Sequence, residues 1–292
     1  MPLEHMKPAT WKNLFTEKVL ENINKIIFNG SYGDPLRNPY IFECLNYLKQ
    51  YNKPEIHIHT NGGMNGPKFF AELAECLKDF PFPTHVVFSI DGLEDTNHLY
   101  RRHVVWKNVM DNAKAFIDAG GLARWRMIVF EHNAHQLKDA EQLSKAMGFG
   151  KFDINGGYTF SAIDSVVGEA IEKFKASKKD DARTIKYNKE HLDNVDRVKG
   201  LLKEGFDKGH ITCKWQKKKK IQISHVGEVF PCCYLEAERY PKDANSIYAK
   251  DVTDMNWLNI NNNSLEHILD SDVLTTPSEN RFKICEVTCG EM

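Results

Sequence analysis

The sequence predicts an α/β protein built on a parallel sheet and followed by a small cysteine-rich α+β domain, and three observations carry that expectation. Short runs rich in β-branched residues recur roughly every 30 residues through the first half, the length of one strand–helix unit. Segments with apolar residues at helical spacing fill the gaps between those runs. Five of the seven cysteines lie at or after position 213.

The strands are expected at Lys25–Phe28 (KIIF), 55–59 (EIHIH), 85–90 (HVVFSI), 125–130 (WRMIVF) and 152–154 (FDI). Between them, Ile41, Cys44, Leu45 and Leu48 form one apolar helix face; Phe69, Leu73, Cys76, Leu77 and Phe80 form a second. Trp106, Val109, Met110, Ala113, Phe116 and Ile117 form a third. Strand, helix, strand in this order implies parallel pairing, in a sheet either open or curled into a barrel. Residues 161–209 turn polar and helical, with Leu192, Val195, Val198, Leu201 and Leu202 in a narrow stripe, and read as a connector. Beyond it, 221–224 and 229–232 flank His225-Val226-Gly227-Glu228, the pattern of a hairpin with glycine at its turn. Residues 241–280 are rich in Asn, Asp and Ser and read as loops around a short helix near Leu265–Leu269. The expected domains are thus 1–160, 161–209 and 210–292.

Composition excludes several classes of function. A net charge of −1 gives no electrostatic case for nucleic acid or an anionic membrane. No apolar run approaches the roughly 20 residues that a membrane span needs. The opening MPLEHMKPATW has no apolar signal region, so the expectation is a cytoplasmic protein with reduced or metal-bound thiols. The twelve histidines form no His-x3-His or His-Glu-x2-His pair on a helix.

Each expected strand ends in a small polar cluster. These are Asn29-Gly30-Ser31-Tyr32-Gly33-Asp34-Pro35, Thr60-Asn61-Gly62-Gly63, Asp91-Gly92, His132-Asn133 and Asn155-Gly156-Gly157. Gly and Asn often do no more than end a strand. Five strands in succession ending this way point instead to a shared site, because parallel α/β folds bind ligands beyond the carboxyl ends of their strands.

FNGSYGDP, IHTNGG, FSIDG and the YRR of Tyr100–Arg102 resemble the second to fourth strands of radical S-adenosylmethionine (SAM) enzymes. The resemblance covers roughly residues 20–160 and implies a partial (β/α)6 barrel whose first strand is missing. In that family a Gly-Gly-Glu-Pro-like turn binds the methionyl ammonium of SAM; Gly33-Asp34-Pro35 matches it with a shorter carboxylate. The resemblance further implies that Gly30, Thr60, Asn61, Ser89, Asp91 and Asn133 lie near the cofactor. Arg101 is placed either to pair with the SAM carboxylate or to make a surface salt bridge.

The departure from the family is as informative as the match. Radical SAM catalysis uses a Cys-x3-Cys-x2-Cys loop after the first strand, and no such motif precedes Gly30. The two cysteines before position 200, Cys44 and Cys76, fall on apolar helix faces and read as core thiols. No catalytic residue is therefore assigned, and the chain by itself is expected not to cleave SAM. A strand at 26–28 with no strand before it leaves an apolar edge, which favours an N-terminally incomplete chain over a natural cluster-free remnant.

Cys213 is followed by thirteen residues, Gly227, four residues and Cys232; Cys233 adjoins, and Cys285 and Cys289 are separated by three residues. This resembles the SPASM or twitch domain, and implies an auxiliary [4Fe–4S] cluster on Cys213, Cys232, Cys285 and Cys289, with Cys233 spare. A structural zinc site is the competing reading of the same spacing. The lysines at 217–220 read as a solvated turn. The family further implies a peptide, protein or small-molecule substrate and a reductant such as flavodoxin or ferredoxin. A non-catalytic electron carrier or scaffold and a zinc-stabilised interaction module are the alternative functions.

Overall fold

Alternation of apolar and charged residues along the strands decides the layers of this molecule. The computed structural model describes residues 4–30, 33–52, 54–130, 132–155, 215, 218–233, 236 and 256–271. In chain order its elements are α1 (Pro8–Leu14), α2 (Glu17–Asn22), β1 (Lys25–Phe28), α3 (Ile41–Leu48), β2 (Glu55–Thr60), α4 (Gly66–Lys78) and β3 (Thr84–Ser89). Then come α5 (Asn97–Tyr100), α6 (Trp106–Asp118), β4 (Leu122–Ile128), α7 (Leu137–Met147), β5 (Lys151–Asn155), β6 (Gln222–Ile223), β7 (Val229–Phe230) and α8 (Leu265–Leu269). The chain forms two compact units: Ile23–Val195, and Met1–Asn22 together with Asp196–Met292. These divisions differ from the sequence-based boundaries at 160 and 209. The expected connector at 161–209 lies outside the described residues.

In the unit Ile23–Val195 the five strands lie in the order β1-β2-β3-β4-β5, every neighbour parallel. A helix crosses over between each pair, as parallel strands require. Register and a side-chain period of two put Ile26, Ile56, Ile58, Val86, Phe88, Trp125 and Met127 on one face. That face is the core. Phe88 meets Phe70 of α4 at 5.6 Å, Phe116 of α6 at 5.9 Å and Phe149 at 5.8 Å between ring centres. The opposite face carries Lys25, Glu55, His57, His59, His85, Ser89, Arg124, Arg126 and Asp153. Ile27 of β1 is 41% exposed, the apolar edge that its sequence predicts.

All five expected strands form, β1 with the expected bounds and the other four with shifted ends. β4 runs 122–128 rather than 125–130, because Asn133 captures the chain as it leaves the sheet. Its Oδ1 accepts the Phe130 N–H at 2.8 Å and its Nδ2 donates to the Ile128 carbonyl at 2.9 Å. The three expected helices are α3, α4 and α6. Helices α1, α2, α5 and α7 are not among the sequence-based expectations.

In the second unit, α1 and α2 bury Trp11, Leu14, Val19 and Leu20, and Lys18 lies 3.9 Å from Glu266 of α8. The expected hairpin is present: Gln222 pairs with Phe230 and Ile223 with Val229, antiparallel. Gly227 sits at φ +88°, and a Cβ there would fall 2.9 Å from the side chains of Asn259 and Asn261. Both asparagines donate through Nδ2 to the Val226 carbonyl, at 3.1 and 3.0 Å. The asparagine-rich segment thus wraps the hairpin turn. Helix α8 lies where the sequence puts it, with the Ser264 hydroxyl accepting from the His267 N–H. Lys218, Lys219 and Lys220 are exposed in a turn. Among the described residues no helix is long and apolar enough to cross a membrane.

Candidate cofactor site at the carboxyl ends of the strands

The loop after β1 is tied to the end of β2 by one carboxylate. Asp34 Oδ1 accepts the Leu36 N–H at 3.1 Å and opens the 3-10 turn Pro35–Arg37. Its Oδ2 accepts the Thr60 hydroxyl at 2.7 Å and the Asn61 N–H at 2.8 Å. Thr60 Oγ1 in turn accepts the Gly62 N–H at 3.0 Å, and Asn61 Oδ1 the Gly63 N–H at 2.9 Å. Gly30 is demanded by close approach, since a Cβ there would lie 1.7 Å from the Gly33 carbonyl oxygen. A carboxylate offers about four acceptor positions; three are used here, so Asp34 can still take one ligand N–H. Asn112 of α6, which the sequence reading missed, pins the next loop by donating to the carbonyls of Gly62 and Met64 at 2.7 and 3.0 Å.

Asp91 and Asn133 form a second, buried knot between the ends of β3 and β4. Asp91 Oδ1 accepts the Ile128 N–H at 2.6 Å, and Oδ2 accepts Arg101 Nε at 2.5 Å. Burial pushes the Asp91 carboxyl up from its ordinary value, while Arg101 and the Ile128 N–H pull it down. Both oxygens accept from N–H donors, so the group works as a carboxylate. Asn133 also donates to the Asp91 carbonyl at 2.8 Å, which leaves its amide fully engaged within the protein. Asn97 and Gln136, also missed in sequence, complete the knot: Asn97 accepts the Asp91 N–H, and Gln136 accepts from Leu93 N and the Thr96 hydroxyl.

The predicted cofactor residues therefore divide by their remaining capacity. Asp34, Asn61, Ser89 and the terminal nitrogens of Arg101 can still bond a ligand; Asp91 and Asn133 position the backbone and the arginine. Arg101 makes an ion pair with a fully buried Asp91 rather than a surface salt bridge. Spare donors and acceptors at a glycine-lined loop fit an amino-acid-bearing cofactor such as SAM.

On the polar face, Glu55, His57 and His85 bring ligand atoms within 4.8 Å of one another. Those atoms are already occupied: Lys25 and His57 hold Glu55 at 2.8 and 2.6 Å, and Arg124 lies 3.0 Å from His85 Nε2. The set is a cross-strand charge ladder. Farther along β2, burial first and the nearby Arg126 second lower the His59 pKa to about 4.

Of the expected cluster ligands, Cys232 is described, buried just past the end of β7, with Cys233 half-buried beside it. Cys213, Cys285 and Cys289 lie outside the described residues. Cys44 is the core thiol expected of it, its pKa pushed up to about 12 by burial and then by Glu43. Cys76 is not a core thiol. It sits half-buried at the edge of its helix face, with Sγ 3.8 Å from Asn46 Oδ1, because α4 turns that flank toward polar neighbours.

A parallel strand–helix sheet with hydrogen-bonding capacity at its strand ends, and in the second unit a hairpin followed by Cys232 and Cys233, define an α/β protein of two units. Residues 213–290 match the family of SPASM iron-sulfur cluster-binding domains, which favours iron–sulfur over zinc. No curated protein matches the chain. Among solved structures, anSMEcpe with bound AdoMet is similar at a TM-score of 0.53 and 15% identity, covering 99% of this chain and 82% of that one. Streptococcus suis SuiB bound to precursor peptide SuiA is similar at 0.52 and 15%, covering 91% of this chain and 58% of that one. The expected α/β fold is shared with these structures, and the expected SPASM domain is matched over residues 213–290.

Proposed function

We propose that this chain is the barrel and auxiliary-cluster part of a radical SAM enzyme that modifies a peptide or protein. The observation that carries the reading is a SPASM match on the same chain as a parallel sheet whose Asp34 loop keeps one acceptor free beside Asn61. Asp34 receives the SAM ammonium, and Asn61, Ser89 and Arg101 supply further bonds to the cofactor, while Gly30 lets the loop close. Asp91 and Asn133 position Arg101 and the β4 exit. Cys213, Cys232, Cys285 and Cys289 hold the auxiliary [4Fe–4S] cluster, with Cys233 outside the ligand set. SAM, bound to an open iron of a separate cluster, supplies hydrogen-abstraction chemistry to this family. A peptide substrate is supported by neighbours solved with AdoMet and Cp18Cys peptide and with precursor peptide SuiA. The reductant is a small electron carrier such as flavodoxin or ferredoxin, and the setting is the cytoplasm.

The test joins the chain in frame to a segment bearing Cys-x3-Cys-x2-Cys and treats the reconstituted protein with dithionite and SAM. Deoxyadenosine should form with the triad and stay at the enzyme-free background without it. If no SAM binds with the triad and its cluster verified, the non-catalytic electron carrier takes its place.

A further inference from the structure

The lysine turn stands at the open end of the hairpin, the end that leads to the proposed cluster ligands. Strands β6 and β7 pair Gln222 with Phe230 and Ile223 with Val229, and Gly227 lies in the turn at the far end. Lys220 precedes Gln222 by two residues and Cys232 follows Phe230 by two, so both sit at the open end. The Lys220 N–H donates to the Trp215 carbonyl at 2.9 Å and closes a turn over 215–220. In the sequence, Cys213 precedes Trp215 by two residues. Two of the four proposed ligands thus bracket the lysines.

Adjacent ammonium groups repel one another, and nothing among the described residues offsets them here. Lysines elsewhere reach carboxylates, as Lys49 reaches Asp79, Lys107 reaches Asp111 and Lys145 reaches Glu141. Lys218, Lys219 and Lys220 are all exposed, and no described carboxylate lies within ion-pair reach of them. The whole chain carries a net charge of −1, so this row is a local concentration and not one sample of a basic surface. Lys219 holds φ +50°, a left-handed backbone that glycine or asparagine adopts more readily. Shape alone calls for one of those residues; lysine keeps the row of charge unbroken. Such a row steers an acidic partner and speeds its association without a large contact. Electron carriers make small, transient interfaces of this kind.

We propose that Lys218, Lys219 and Lys220 dock an acidic one-electron carrier, a flavodoxin or ferredoxin, against the cluster end of the hairpin. The carrier gives up one electron there and the auxiliary cluster takes it up, with no bond made or broken. The inference rests on the auxiliary-cluster reading for the electron's destination; the docking itself needs only the lysines. An acidic protein fits better than nucleic acid, because the row is short and the chain as a whole has no basic excess.

The experiment follows association of flavodoxin, and separately of ferredoxin, with the immobilised, cluster-loaded chain by biolayer interferometry at low and high salt. At least one carrier should bind wild type with an on-rate that falls steeply as salt screens the charges. K218E/K220E should slow that association about ten- to a hundredfold at low salt. K219N, which suits the left-handed backbone, should keep the wild-type melting temperature and still bind more slowly. In stopped flow, reduction of the cluster by the reduced carrier should slow in the same variants, while reduction by dithionite should not. Absence of binding by both carriers, binding insensitive to salt, or an unchanged on-rate in K218E/K220E overturns the proposal. Equal affinity for polyglutamate, or tighter binding of an RNA oligonucleotide, overturns it too. Slower binding with unaltered cluster reduction does the same, because the electron then enters elsewhere. If no iron loads yet a carrier still binds through the lysines, the auxiliary-cluster reading fails and the docking surface stands.

Discussion

Asp34 carries both structure and ligand capacity, and its two roles predict separable effects. In Asp34→Asn the amide nitrogen must face either the Asn61 N–H and Thr60 hydroxyl or the Leu36 N–H, so at least one donor-to-donor clash replaces a hydrogen bond. Thermal unfolding should show a loss of about 1–3 kcal/mol. SAM affinity by calorimetry should fall roughly ten- to a hundredfold in Asp34→Ala and Asp34→Asn alike, because both remove the charge. Unchanged affinity in both variants removes Asp34 from the cofactor site. The histidines predict a pH effect of definite sign. Burial holds His59 and His132 at about 4, below the ordinary 6.5. The unfolded chain takes up these protons first, so their contribution to stability is full above pH 6.5 and is lost as pH falls toward 4. The melting temperature should fall through that window, and His59→Gln should flatten the fall; an identical profile in the variant would refute the assignment.

At the scale of elements, the strand ends are set by side chains reaching back from loops and helices. Asn112 holds the loop after β2 from inside α6, through two carbonyls. Asn112→Ala leaves both without this donor and should cost about 1–3 kcal/mol, with weaker SAM binding because Asn61 loses its anchor. Normal SAM affinity in a destabilised Asn112→Ala would show that the loop keeps its shape without the tether. The strands were legible because β-branched runs with period two recur at unit length. Their ends were not, since Asn133 acts on residues three to five positions earlier. The helix α7 went unread beside stronger patterns: only Ala140 and Ser144 of its face are buried, so its apolar stripe is thin.

For the whole molecule, the cluster assignment makes the clearest quantitative claim. Anaerobically reconstituted protein should bind about four iron and four sulfide per auxiliary cluster, with broad absorbance near 400 nm. Cys285→Ala or Cys289→Ala should abolish it, while Cys44→Ala should keep it, since Cys44 packs on the buried face of α3 with Ile41, Leu45 and Leu48. Stoichiometric zinc without iron uptake returns the zinc-stabilised module to first place.

The sequence by itself determined the parallel βα order, the hairpin turned at Gly227, the strand-end glycines and the cysteine spacing, because each is written in local pattern. Tertiary structure alone decided which polar residues keep capacity for a ligand. Asp34 and Asp91 look alike in sequence, each closing a strand, yet one retains an acceptor and the other is buried against Arg101 and Ile128. Arg124 and Arg126 look alike too, two residues apart on one strand. Only the register with β3 shows that His85 engages the first, while the second stands beside Ser89 with no partner among the described residues. Hydrogen-bond capacity is consumed by neighbours distant in sequence, and no local pattern records who those neighbours are.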